Sequence, residues 1–265
     1  MPEASEFYTT CNAFLRHVVW DESRGWTCQD RLAVDYYPSR TAFDFERRKA
    51  YYYDPEQRLV QVYGLPSLAP LETHELAPES FPFQSVFGTF VALDARQSFL
   101  IIASSQGDVT VVEASTMRVR SRIVLPPLGT VWEVKADQAT GELLVLQEYC
   151  LSVFRLADMK LVARRLFEDA AYGLATDHDF FFVSFPKAMT IRKIDRRSLE
   201  TVVEARAPLG VRTMAVDPSR GYLLVSSMSG VVETRWASDL VRVTRARLIP
   251  WIHWMEPLPE RGTSS

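Results

Sequence analysis

The sequence predicts an all-β fold, a six-bladed β-propeller with four-stranded blades, and three observations predict it. Strand-sized apolar runs recur along the chain. Turn-forming residues separate them at a repeated offset. An acidic marker after the first strand of each unit returns as Asp44, Asp94, Asp137, Asp177, Asp217 and Glu256, in steps of 50, 43, 40, 40 and 39 residues. A period near 40 with four strands per period is the spacing of a propeller blade. No long stretch holds a 3.6-residue apolar period, so helix content is expected to be low.

The clearest unit is Val211–Leu248. It reads as strand A at Arg212–Val216, B at Tyr222–Ser226, C at Val231–Arg235 and D at Val241–Arg247. Asp217–Gly221, Met228–Gly230 and Ala237–Asp239 separate them, all turn-forming residue types. Earlier B strands are expected at Ala50–Tyr53, Phe99–Ala103, Leu143–Leu146 and Phe180–Val183. The C strands are expected at Arg58–Tyr63, Val109–Glu113, Leu151–Leu156 and Met189–Asp195. At the C-terminus only a strand A remains, Trp251–Met255. Its missing partners are found at the other end: Glu6–Thr10 as B, Ala13–Trp20 as C and Trp26–Val34 as D. Joining the ends in one composite blade removes two free sheet edges and fastens the ring. The blades then span 40–76, 89–126, 131–167, 172–206, 211–248, and 251–265 with 6–34, in a single domain. The long first step comes from Ala77–Gly88, a Pro- and Phe-containing loop that packs on the ring or covers the channel mouth.

Composition bounds the function. The 265 residues are 47% hydrophobic and 24% charged, with formal net charge −3. That balance offers no electrostatic footprint for nucleic acid. The start of the chain has no basic, apolar leader and no run is long enough to span a membrane, so a cytoplasmic location without membrane insertion is expected. Cys11, Cys28 and Cys150 are scattered and odd in number, which suggests reduced thiols.

Segments such as FYTTCN, YLLVSSMSG and FLIIASSQGD, followed by runs such as VTVVEASTMRV or TIRKIDRRSLETVV, resemble blades of the YVTN/NHL-like β-propeller superfamily. The Gly-His and Trp-Asp signature of WD40 blades and the double glycines of kelch blades are missing. The resemblance implies that strand A lines a central channel and that the D–A and B–C loops share the ligand-binding face. It nominates channel-mouth residues Arg40, Trp132, Glu133, Glu148, Tyr172, Arg212, Trp251 and His253, with Thr89, Asp54, Gln106 and Asn12 beside them. Cations, a carboxylate and aromatic walls in one place are what a small-molecule or peptide pocket uses.

Catalytic chemistry has less support. Resemblance to six-bladed lactonases would give Glu133 one place among their oxygen ligands, with Glu148 or Asn12 as further ones, but the EGP-type segment of those enzymes is replaced by GTVWEVKAD. Only His253 of four histidines falls near the axis, which argues against a multi-His zinc site. Ser104, Ser105, Ser226 and Ser227 end B strands without nucleophile-elbow glycines. The five repeated aspartates fit turns, in separate blades, and cannot meet at one metal. The basic runs Arg47–Lys49, Arg164-Arg165 and Arg192–Arg197 read as solvated hairpins or strand faces. The expected function is a non-catalytic binding or scaffold module for a protein or peptide, without a cofactor or bound metal and as a monomer. The second reading is a small-ligand binder or metal-dependent hydrolase at the channel mouth.

Overall fold

The computed structural model describes residues 6–11, 14–21, 25–33, 41–76, 88–218, 220–227, 231–247 and 252–257, with the backbone alone in 6–33, 246–247 and 252–257. Among the described residues every regular element is a strand. The strands pair into four-stranded antiparallel sheets in the order of the chain. The fold is a β-propeller of four-stranded blades.

Five sheets are described with their side chains. Blade 1 is β4 (Thr41–Asp44), β5 (Lys49–Asp54), β6 (Leu59–Gly64) and β7 (Ala69–Glu75). Blade 2 is β8 (Thr89–Asp94), β9 (Phe99–Ser104), β10 (Asp108–Glu113) and β11 (Val119–Val124). Blade 3 is β12 (Val131–Asp137), β13 (Glu142–Gln147), β14 (Cys150–Arg155) and β15 (Leu161–Leu166). Blade 4 is β16 (Leu174–Thr176), β17 (Phe180–Phe185), β18 (Thr190–Asp195) and β19 (Thr201–Arg206). Blade 5 is β20 (Val211–Asp217), β21 (Tyr222–Ser227), β22 (Val231–Trp236) and β23 (Arg242–Arg247). A further sheet pairs β24 (Ile252–Pro257) with β1 (Glu6–Cys11), β2 (Phe14–Asp21) and β3 (Gly25–Ala33). It is the expected composite of the two chain ends, and β24 lies beside β20. The observed strands fall within two residues of the expected ones.

The B strands explain why this sequence stacks sheets. In β17, FFFVSF, Phe181 packs toward blade 3 and Phe182 toward blade 5, and both are fully buried. A strand covered on both faces reads as a continuous apolar run rather than an alternating one. The same holds for β9, where Leu100 and Ile102 meet blade 1 and Ile101 and Ala103 meet blade 3. Outer strands differ: β19 alternates between exposed and half-buried positions. The core is therefore a series of apolar layers between consecutive blades. A further cluster on the other face of blade 1 is built on Ala50, Tyr52, Tyr63 and Leu68.

Each C–D turn among the described residues of blades 1 to 5 repeats one strained position. Leu68, Met117, Met159, Leu199 and Leu240 all have positive φ, between 55° and 62°. An L-residue there costs on the order of 1 kcal/mol. Met117, Met159, Leu199 and Leu240 pack into inter-blade clusters, and Leu68 into the cluster on the other face of blade 1. Burial of a large apolar side chain, roughly 1.5–3 kcal/mol, offsets the strain. In four of the turns the residue's N–H closes a five-residue turn onto Glu113, Arg155, Asp195 or Trp236.

One expected equivalence fails. Asp44, Asp94, Asp137 and Asp217 pair with the first residue of their B strands, Lys49, Phe99, Glu142 and Tyr222. Glu256 pairs with Tyr8, the third residue of β1. It therefore sits inside its strand and is not the sixth member of the aspartate set. The loop residues Ala77–Phe87 lie outside the described residues.

Candidate functional site

Strand A starts at one rim and ends at the other, and the two rims are built differently. At the start of β12, Val131 pairs with Gln147 while Glu133 pairs with Leu146, so Trp132 is the extra residue of a β-bulge. At the start of β20, Val211 pairs with Ser227 and Thr213 with Ser226, so Arg212 is extra in the same way. In the composite sheet Ile252 pairs with Cys11 and Trp254 with Thr10, which puts His253 at that register position again. A bulge kinks the strand and re-aims one side chain at a rim. In blade 4 the corresponding place is held by Tyr172, immediately before Gly173 and β16.

Three of these residues meet. The Trp132 and Tyr172 rings stack with centroids 4.3 Å apart and planes 28° from parallel. The Arg212 guanidinium carbon lies 5.3 Å from the Tyr172 centroid on the neighbouring blade. Offset stacking and cation–π geometry are both satisfied. All three side chains remain half-buried rather than sealed. Burial pushes the Tyr172 phenol up, and the Arg212 charge opposes that shift.

Gly173 makes the close approach possible. A Cβ there would sit 2.9 Å from the Arg212 carbonyl oxygen and 3.0 Å from Ser184 Oγ. Its N–H donates to Ser184 Oγ at 2.9 Å, in a fully buried position. The glycine thus lets β16 and β20 come together under the stack.

Glu133 sits one residue past the Trp132 bulge, and its chemistry is already committed. Its Oε2 accepts the Leu174 N–H at 2.6 Å, and its Oε1 lies 3.1 Å from Lys135 Nζ. Lys135 also donates to the Met214 carbonyl at 3.4 Å. The pair therefore ties the inner strands of blades 3, 4 and 5 together. Burial pushes the Glu133 carboxyl up, partly offset by Lys135 and the Leu174 N–H. Both oxygens have partners within the protein, so the carboxylate is part of the wall.

The remaining nominated residues divide. Glu148 shares a hydrogen bond with the Tyr149 phenol, which raises that phenol's pKa, and its backbone bonds Thr130 and Ala171. Thr89 is buried, Gln106 is exposed, and Asp54 accepts the N–H groups of Glu56 and Gln57 as a turn residue. Arg40, Asn12 and Trp251 lie outside the described residues, and His253 is described by its register alone. His74 pairs with Glu72, and His178 is exposed in an A–B turn. Cys150 is buried as a free thiol, and burial raises its pKa. Among the described residues no group of three or more His, Cys, Asp and Glu side chains converges where a metal could be held.

At the opposite rim the aspartates do what the turns require. Asp44, Asp94, Asp137, Asp177 and Asp217 each accept backbone N–H groups two or three residues on. Polar side chains then join blade to blade. Arg47 donates to the Ala95 carbonyl at 3.0 Å, and Gln138 donates to the Leu93 carbonyl at 2.7 Å. Arg196 joins blade 4 to blade 3 through Asp137, Glu142 and Thr140, and also binds Thr176 and the Asp177 carbonyl. Its side chain is 10% exposed and lies over the Phe181 ring.

The reading of Arg192–Arg197 as a solvated run is therefore corrected. Lys193 is buried over Phe180 and donates to the Ser238 carbonyl of blade 5 at 3.0 Å. Arg196 is the rim clasp, while Arg192 pairs with Asp169 and Glu204. Sequence reasoning also missed Glu233 and Arg235, a buried pair on strand C of blade 5, whose Arg235 also donates to the Leu240 carbonyl in the C–D turn. No signal in the residue types separates these from solvated charges; only the register of β18 and β22 does. Among the described residues no helix is long and apolar enough to cross a membrane. No protein-family model matches the chain, and no curated protein matches it.

Proposed function

We propose that this protein is a non-catalytic binding module, and that its working surface is the rim where the inner strands begin. The observation that carries this reading is the Trp132–Tyr172–Arg212 stack, contributed by three consecutive blades from corresponding positions. Half-exposed Trp, Tyr and Arg are the side chains that dominate peptide and protein interfaces. Trp and Tyr supply a large contact area with little rotamer entropy to lose, and Arg adds a planar charge. The partner is a protein or peptide segment that lays a planar or anionic group against this stack.

The ring is read as six blades, closed by the composite sheet of the two chain ends, in a single monomeric domain of YVTN/NHL-like type. A cytoplasmic location fits the sparse, odd cysteine set. A small ligand at the channel mouth is the second reading, favoured by the raised Glu133 carboxyl beside the stack. It is the weaker one, because both Glu133 oxygens are held by Leu174 and Lys135.

Selection of a displayed peptide library against the protein tests the proposal. Enriched peptides should bind the native chain and lose at least about tenfold in affinity to Trp132→Ala or Arg212→Ala. Peptides that bind those two variants as tightly as the native chain would place recognition elsewhere.

A further inference from the structure

The outer strands of blade 5 carry an unbalanced set of charges on one face. In β22, Glu233 and Arg235 are two residues apart and so lie on the same face. On β23, Arg245 is opposite Glu233 and Arg242 is opposite Arg235. Arg235 binds Glu233 Oε2 through Nε at 3.1 Å and Nη2 at 2.6 Å, and both residues are buried. That contact already sets one charge against one charge. Arg242 and Arg245 reach the other oxygen, Oε1, at 3.5 and 3.7 Å, and their side chains are 53% and 55% exposed. A charge-assisted hydrogen bond is about 2.7–2.9 Å long, so neither guanidinium is fully engaged. Three guanidiniums against one carboxylate leave an excess of two positive charges.

The neighbouring elements do not cancel this excess. In the turn between the two strands, Asp239 accepts the Val241 N–H, and the Ser238 carbonyl accepts from Lys193 of blade 4. Those two add one charge of each sign. On the outer strand of blade 4, Val203 and Ala205 pack against the cluster between the blades, while Glu204 is held by Arg192. Arg192 and Arg196 each meet two carboxylates, the opposite balance. Like charges directly opposite each other, as in Arg235 and Arg242, destabilise a sheet.

We infer that Arg242 and Arg245 form a binding site for a phosphoryl group, with Glu233 beneath them holding the two guanidiniums side by side. A phosphoryl dianion carries about −2 charge at neutral pH, which matches the excess. Guanidinium N–H pairs fit its oxygens as parallel hydrogen bonds, and the exposed halves of both side chains have donors to give. A carboxylate would cancel half of the excess. A nucleic acid strand calls for a track of cations along its backbone, and this chain has a formal net charge of −3. The phosphoryl group is either free or carried on a side chain of a polypeptide.

The test on the full chain combines calorimetric titration of inorganic phosphate with anisotropy of a fluorescein-labelled Ala-Gly-phosphoserine-Gly-Ala peptide, its unphosphorylated form and a single-stranded oligonucleotide. Inorganic phosphate or the phosphopeptide should bind and weaken with salt. Tighter binding of the phosphopeptide would support a protein-borne group, and tighter binding of phosphate a free one. Arg242→Gln/Arg245→Gln should lose at least about tenfold in affinity. Arg245→Lys keeps the charge without the planar fork and should lose severalfold if the double variant folds poorly. No binding of either phosphate probe at about 10 mM would overturn the inference. So would equal binding of the unphosphorylated peptide, tighter binding of the oligonucleotide, or an affinity unchanged in the folded double variant.

Discussion

Where the inner strands end, charged side chains turn back onto the protein. Asp137 caps its own turn and also meets Arg196 from the next blade. Where the same strands begin, bulges lift Trp132 and Arg212 out of the ladder and leave them half-exposed around Tyr172. One rim turns its aspartates and Arg196 onto partners within the protein. The other holds aromatic and cationic side chains that are half-buried among the described residues. The difference teaches that charge density alone does not mark a functional face in a propeller; the marker is a side chain released from the strand register.

The largest stability effect should come from the closed rim. Arg196→Ala leaves the Asp137 and Glu142 carboxylates without their cation and should cost about 3 kcal/mol in denaturant unfolding. A loss under about 0.5 kcal/mol would mean the clasp is solvated in solution. The open rim should respond differently.

Lys135→Met leaves the Glu133 carboxylate buried without its cation and should cost about 2 kcal/mol near neutral pH. Glu133→Gln in that background should recover most of the loss. The pH dependence has a defined sign. The Glu133 carboxyl is higher in the folded than in the unfolded state, so folding favours its protonated form. Its contribution weakens as pH rises from the ordinary carboxylate range through the raised value, and Glu133→Gln should remove that part of the stability profile. Parallel profiles for the native chain and the variant would show that the carboxyl is not perturbed.

Gly173→Ala should cost about 1–2 kcal/mol, because the new methyl meets the Arg212 carbonyl and Ser184. It should also weaken peptide binding by moving Arg212 from Tyr172. Thermal unfolding together with titration of a selected peptide reads both effects; a variant that loses stability alone would detach Arg212 from recognition.

Much of this architecture is legible in the residues. Strand-length apolar runs such as FFFVSF announce sheets buried on both faces, and Asp after strand A announces a turn acceptor. The composite sheet follows from an unpaired last strand and three surplus first strands. The bulges are not legible, because one extra residue at Trp132 or Arg212 leaves the pattern of residue types unchanged. Nor is Arg196 distinguishable from Arg197 beside it: one is buried against Phe181 and two carboxylates, the other is exposed. The C–D turn leucines and methionines were hidden too, since apolar residues are poor turn formers in isolation and gain their place only from the next blade.

The division between rims is tested most directly by measuring unfolding free energy and peptide affinity in parallel for Arg196→Ala and Trp132→Ala. Arg196→Ala should lose about 3 kcal/mol of stability and keep its affinity. Trp132→Ala should stay within about 1 kcal/mol of the native stability and lose at least tenfold in affinity. Two variants that lose stability and affinity in the same proportion would contradict the account.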